Sequence, residues 1–266
     1  LPETFCLFID VGNTNIKFAL AGSRGLRPGL ELPTDTKETA DSLGLKILDY
    51  LRLENKSSRE VASWLMASVV PVLNPKIVQA GIRFCRADVY HVPGDLPVSL
   101  NNQYLNPQEV GADRLVTALG ARRTFPQQGL VIVDFGTATT FDCVVENDYI
   151  GGLICPGIYS SMQALSTRTA KLPWFNLEEA GDNLEIGRST AQSLAQGTRF
   201  GFAAMVEGLL SRLKHMMPQE TLVVATGGVA EIMAPACPGI DEVQLDLLMQ
   251  GLMFTAKEHA IFNHKE

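Results

Sequence analysis

Two apolar runs, Cys6-Leu7-Phe8-Ile9 and Leu130-Val131-Ile132-Val133, each end at an aspartate followed two positions later by a glycine. Short apolar runs bounded by turn-forming residues predict buried strands. Asp10 and Asp134 therefore close strands and Gly12 and Gly136 open turns, while residues 16–20 and 140–145 return as the second strands of two hairpins. Further on, Leu43, Ile47 and Leu51 fall on one stripe of a helix over 40–53. Residues 63–70 read as a strand stopped by Pro71, and 87–92 as another ended by Pro93-Gly94. The stretch 97–109 is rich in Asn, Gln and Pro and predicts a loop over a cleft, with a helix following over 107–123. In the second half, 149–154 reads as a strand running into Cys155-Pro156-Gly157. Leu194, Phe202, Val206, Leu209 and Leu213 mark a long amphipathic helix over 190–216. A strand over 221–226 ends in Gly227-Gly228, and a last helix covers 243–261.

The two hairpin strings are DVGNTNIK at 10–17 and DFGTATTF at 134–141, nearly half a chain apart. Their turns offer backbone N–H groups that can hold phosphate oxygens, next to a carboxylate that can hold Mg²⁺ directly or through water. Either string alone fits equally an ordinary hairpin whose Asp and Asn make side-chain turns. The recurrence predicts a duplicated domain with a nucleotide cleft between its halves.

Composition narrows the function classes. A chain of 266 residues sits near the roughly 250–300 at which one core stops growing, which favours two domains. With 46% hydrophobic residues there is material for two cores. A net charge of −7 and a pI near 5.2 argue against nucleic acid as a partner, since a general polyanion binder needs a basic surface. A local basic pocket for ATP remains compatible. No apolar run approaches the roughly 20 residues that span a bilayer, and no signal-peptide pattern opens the chain, so a cytoplasmic protein without membrane attachment is expected. The start at Leu1 reads as a trimmed initiator or tag. Cys6, Cys85, Cys143, Cys155 and Cys237 form no C-x-x-C pair and read as reduced core residues. His91, His215, His259 and His264 lack the spacing of a helical zinc site and receive no ligand role.

Gly111-Ala112-Asp113-Arg114 places an acid and a base in the first turns of a predicted helix. The helix dipole and the neighbouring arginine both favour an ionised Asp113. Such a carboxylate can accept a proton from a substrate hydroxyl, and Arg114 can bind a substrate carboxylate. Helix capping with a surface ion pair explains the same four residues. Gly151-Gly152 through Pro156-Gly157 is a glycine-rich strand end, and Thr226-Gly227-Gly228 either faces a nucleotide or answers a packing requirement.

Taken together, DVGNTNIK, YLNPQEVGADR, VDFGTATTFD, GGLICPGI, GRSTAQSL and ATGG, over residues 5 to 255, resemble the type III pantothenate kinases. These belong to the superfamily of acetate and sugar kinases, heat-shock chaperones and actin. The resemblance implies two duplicated ribonuclease H-like (actin-like) α/β domains, at 1–120 and 121–266, each a mixed five-stranded sheet flanked by helices, with a cleft between them. It implies ATP-dependent phosphorylation of the primary hydroxyl of pantothenate, at the start of coenzyme A biosynthesis. Carried over by residue, Asp10, Val11, Gly12, Asn13, Thr14, Asn15, Ile16 and Lys17 form the phosphate loop, with Thr137 also at ATP. Asp113 is the proton acceptor. Tyr104, Gly111, Ala112, Asp113, Arg114 and Thr190 line the pantothenate site. Asp134 holds a monovalent cation, K⁺ or NH₄⁺, and Asp10 holds Mg²⁺ through water. A homodimer is implied as well. The competing readings are a kinase or ATPase of the same superfamily with another acceptor, and a non-catalytic accessory or regulatory relative.

Overall fold

The computed structural model describes residues 4–22, 25–27, 29–168 and 172–263. The strands are β1 (Phe5–Val11), β2 (Asn15–Gly22), β3 (Gly25–Leu26), β4 (Leu30–Pro33), β5 (Val61–Ser68), β6 (Asp88–His91), β7 (Asn101–Asn102), β8 (Gly129–Phe135), β9 (Ala138–Val145), β10 (Asp148–Pro156), β11 (Thr221–Thr226) and β12 (Glu242–Val243). The α-helices are α1 (Ala40–Leu53), α2 (Asn74–Ala80), α3 (Ala112–Thr124), α4 (Ile158–Arg168), α5 (Thr190–Lys214), α6 (Ala230–Met233) and α7 (Leu247–Glu258). They form two units. The first takes residues 1–100, 104–124 and 247–266, and the second takes 101–103 and 125–246.

In the first unit the sheet order is β3-β2-β1-β5-β6, with β4 also paired to β2. β1 runs antiparallel to β2 and parallel to β5, and β5 runs parallel to β6. In the second unit the order is β12-β11-β8-β9-β10-β7, with β8 antiparallel to β9 and parallel to β11. The stretch β12-β11-β8-β9-β10 repeats the first sheet's pattern, so a five-stranded mixed sheet occurs twice. Each sheet carries a sixth strand beyond the expected five. These extra strands come from two- to four-residue pieces such as β3, β4 and β7, too short to show a periodicity.

Alternation along the strands decides what each sheet face buries. In β1, Phe5, Leu7, Ile9 and Val11 pack with Leu43, Ile47, Leu51 and Ile77 of α1 and α2. Cys6 and Phe8 point the other way, against Val116 of α3 and Leu252, Met253 and Ala256 of α7. In β8, Val131, Val133 and Phe135 face Ile158, Met162, Ala203, Val206 and Met233 of α4, α5 and α6. The helix at the C-terminus thus joins the first unit, whereas a division at residue 120 would assign it to the second.

α3 and α7 approach through glycines. A Cβ on Gly120 would overlap the Leu247 carbonyl, and one on Gly251 would overlap that of Val116. Gly251→Ala is therefore expected to destabilise the protein by about 1–3 kcal/mol through overpacking, read as a lower urea midpoint at unchanged slope. An unaltered midpoint would mean that the helices are not so close.

Several expected boundaries move for local reasons. The helix expected over 107–123 splits into a single 3₁₀ turn at Pro107–Glu109 and α3, with Val110 extended between them. The last helix starts at Leu247 rather than 243, because Glu242 and Val243 pair with β11 as β12, and it ends before Ala260, whose φ is 54°. α2, α4 and α6 are additional helices. Cys6, Cys85, Cys143 and Cys237 are buried. Burial pushes the thiols of Cys6 and Cys237 up to about 12 and that of Cys85 to about 11, which keeps them protonated. His264 lies outside the described residues. Among the described residues, no helix is long and apolar enough to cross a membrane.

Candidate active site

Asp10 closes β1 directly opposite Lys17 of β2. The turn between them is fixed by the Gly12 N–H donating to the Asn15 carbonyl at 3.0 Å. Asn13 and Thr14 are exposed at its tip. Thr34, just beyond β4, braces the turn from the side: its N–H donates to the Thr14 carbonyl at 2.8 Å and its hydroxyl to the Gly12 carbonyl at 2.7 Å. Asn15 also donates to Glu31. Neither Thr34 nor Glu31 is among the residues predicted from sequence. Thr34 opens the polar run that follows Pro33, whereas Glu31 lies before it on β4 and carries no signal of its own.

Alternation puts Asp10 on the same sheet face as Cys6 and Phe8, the face that α3 covers. At the end of β5, parallel to β1, the Val69 N–H donates to the Val11 carbonyl at 3.0 Å. A Cβ on Gly111 would stand 3.4 Å from Val69 and would overlap the Asp113 carboxylate. Val11 of β1 and Gly111, just before α3, both lie next to Val69, which puts the first turn of α3 at the strand end where Asp10 sits. Gly111 is required there because the Asp113 carboxylate fills the space its side chain would take.

The Arg114 N–H donates to Asp113 Oδ1 at 2.8 Å. Burial raises the Asp113 pKa above the ordinary aspartate range, and the Arg114 N–H bond and guanidinium charge pull it down less strongly. Arg114 does favour the ionised form, as its place in the sequence suggests, but burial outweighs it. Arg114 is 9% exposed, which removes the surface ion pair as an explanation of the motif. Tyr104 belongs to the first unit and is half-buried, whereas Thr190 belongs to the second and is exposed at the start of α5, after the cap Ser189.

In the second unit Asp134 closes β8 as Asp10 closes β1, but the turn is one residue shorter. The register sets Asp134 opposite Thr140, whereas Asp10 faces Lys17. The two Asp-x-Gly sites thus differ in charge across the strand pair, one with an ammonium and one with a hydroxyl. Two other glycine motifs converge on this turn. A Cβ on Gly157 would overlap the Thr137 carbonyl, and the Ser160 hydroxyl donates to that carbonyl at 2.7 Å. Gly227, at φ +93°, lies so close that a Cβ would overlap Asp134 Oδ1 and meet the Phe135 backbone at 2.7 Å. GGLICPGI and ATGG are thereby explained as close packing on the DFGTA turn.

Among the described residues no group of three or more His, Cys, Asp or Glu side chains is placed to hold a metal. A divalent ion here would draw most of its ligands from nucleotide oxygens and water, as Mg²⁺ commonly does. The Asp134 carboxylate offers hard oxygen donors, the kind that a monovalent cation such as K⁺ takes, and Gly227 packs close to its Oδ1.

The sequence matches the family model for type III pantothenate kinase over residues 6–212. It is 49% identical over 253 residues to the type III pantothenate kinase of Nitratidesulfovibrio vulgaris strain Miyazaki F, covering 95% of this chain and 96% of that one. It is 45% identical over 262 residues to that of Oleidesulfovibrio alaskensis, covering 98% and 99%. Among solved structures, a conserved Baf family protein from Campylobacter jejuni superposes with a TM-score of 0.61 at 20% identity, over 96% of this chain and 99% of that one. A ROK family glucokinase from Streptomyces griseus superposes at 0.56 and 12% identity, over 96% and 99%. At such low identities the two structures show the shared fold, two mixed-sheet domains flanked by helices. From the family match and the two close relatives together, the chain belongs to the type III pantothenate kinase family.

Proposed function

We propose that Asp113 is the proton acceptor in the family's reaction, the ATP-dependent phosphorylation of pantothenate to 4′-phosphopantothenate. The observation that carries this is the placement of Asp113. It is a half-buried carboxylate at the start of α3, on the sheet face and at the strand end where the Asp10 turn lies. The pantothenate hydroxyl oxygen attacks the γ-phosphorus, a new O–P bond forms, the bond to the β-phosphate oxygen breaks, and ADP leaves. The hydroxyl proton passes to Asp113. Phosphoryl transfer asks mainly for alignment and charge neutralisation, so position is the chief contribution of Asp113. A raised pKa makes it a better base than an exposed aspartate.

In this reading the Asp10–Lys17 turn receives the phosphates, with Thr137 also at ATP. Asp10 holds Mg²⁺ through water and Asp134 holds K⁺ or NH₄⁺. Bound cations supply positive charge next to the polyphosphate. Arg114, with Tyr104, Gly111, Ala112 and Thr190, receives pantothenate, whose carboxylate suits a guanidinium. The protein acts as a cytoplasmic homodimer.

For Arg114→Ala the pantothenate KM is expected to rise by roughly tenfold to a hundredfold, as loss of a charged hydrogen-bond partner costs about 1.5–3 kcal/mol. The ATP KM should stay near its original value. A change confined to the ATP KM would remove Arg114 from the pantothenate site. Exchanging K⁺ for Na⁺ at constant ionic strength should depress turnover, and equal rates in the two salts would count against a cation at Asp134.

A further inference from the structure

β9 carries a carboxylate where its neighbours are apolar. Asp142 is 1% exposed, between Phe141 and Cys143 of the core, in the middle of a strand paired on both sides. Burying a carboxylate costs several kcal/mol, and an apolar residue of similar size commonly serves stability as well or better. Its partners indicate what it does. The Tyr149 hydroxyl, itself fully buried, donates to Asp142 Oδ1 at 2.7 Å, and the Thr140 hydroxyl stands 3.3 Å from Oδ2 as donor. Thr140 and Asp142, two apart on β9, share a sheet face. Thr140 is also the residue directly opposite Asp134 on β8, where side chains of a cross-strand pair are neighbours. A continuous polar row therefore runs Tyr149, Asp142, Thr140, Asp134 along one face of the second sheet.

We infer that Asp142 is a positioning residue for the cation side of the site: by accepting the Thr140 hydrogen, it makes Thr140 present an acceptor oxygen, not a donor, toward Asp134. A hydroxyl hydrogen turned toward Asp134 would compete with a cation for its carboxylate. An oxygen lone pair adds to the negative field that attracts one. Tyr149 locks the carboxylate that performs this orientation. In the first unit the longer turn instead sets Lys17 opposite Asp10. The inference rests on the reading of Asp134 as the monovalent-cation residue.

The test measures binding of a non-hydrolysable ATP analogue by calorimetry across a K⁺ titration at constant ionic strength, alongside thermal melting of each variant. Asp142→Asn alters a buried charge and can fail to fold, so Thr140→Val and Tyr149→Phe carry the comparison. Loss of a residue that orients a metal ligand typically weakens metal binding about tenfold or more. The half-saturating K⁺ concentration is accordingly expected to rise by about tenfold in Thr140→Val, to rise less in Tyr149→Phe, and to return toward the unmutated value in Thr140→Ser. If the unmutated protein binds the analogue independently of K⁺, the Asp134 reading fails and the positioning role goes with it. If that protein responds to K⁺ but Thr140→Val and Tyr149→Phe keep its half-saturation, the positioning role alone is overturned. A lower melting temperature with unchanged half-saturation overturns it in the same way, leaving the row a structural feature only.

Discussion

Asp113→Asn is expected to lower kcat by about 10²-fold or more, the usual contribution of a positioned general base, while ATP affinity is kept. The substitution is nearly isosteric, so it preserves the space that Gly111 leaves and the bond from the Arg114 N–H. What it removes is the capacity to take the hydroxyl proton. Near-normal turnover would exclude Asp113 from the chemistry. The pH dependence has a definite direction. Because burial raises the Asp113 pKa, kcat/KM should fall on acidification at a higher pH than an ordinary aspartate would give, and that limb should vanish in the variant. Stability runs the opposite way. A carboxyl whose pKa is raised in the folded state contributes stability below its unfolded pKa and loses that contribution as pH rises through the folded value. Above its folded pKa the ionised Asp113 therefore weighs against folding, and there Asp113→Asn should melt at or above the unmutated protein. A variant that is both inactive and less stable would indicate a structural role.

The second large effect is expected at Gly227. With φ at +93° and no room for a Cβ beside Asp134 and Phe135, Gly227→Ala meets both backbone strain and overlap. The DFGTA turn has to shift, and Asp134 and Thr137 shift with it. A displacement of about 1 Å in a phosphoryl-transfer site can cost about 10²-fold, so a loss of that order in kcat/KM for ATP is expected. Gly228 provides the control. It is exposed, and a Cβ there meets nothing within 4 Å. Gly228→Ala should change stability by no more than about 0.5 kcal/mol and leave the ATP kinetics nearly intact. Equal losses at the two positions would contradict the close-packing explanation.

What could be read from the sequence, and what could not, follows the range of the interactions. β1 and β8 are visible because each is a full apolar run ended by Asp and a turn. α1 is visible because Leu43, Ile47 and Leu51 keep helical spacing. The residues of the Asp113 motif are equally plain, but their electrostatics are not. Local rules for dipole and arginine favour a low pKa, and the burial that overrides them comes from tertiary packing. DVGNTNIK and DFGTATTF have the same length as strings, yet one turn closes a residue sooner. That difference in register decides that Lys17 faces one aspartate and Thr140 the other. Thr34 escaped notice because its bonds to the Asp10 turn span 20 and 22 positions of chain. The close approach of Gly120 and Gly251, which ties α7 to the first unit, is legible only once the two helices are in contact.

The most direct measurement is ADP formation with and without pantothenate in K⁺ buffer, with the phosphorylated product identified by mass spectrometry. The predicted result is ADP release that depends on pantothenate and matches 4′-phosphopantothenate one for one. ADP release indifferent to pantothenate, or no phosphorylated pantothenate at all, would contradict it.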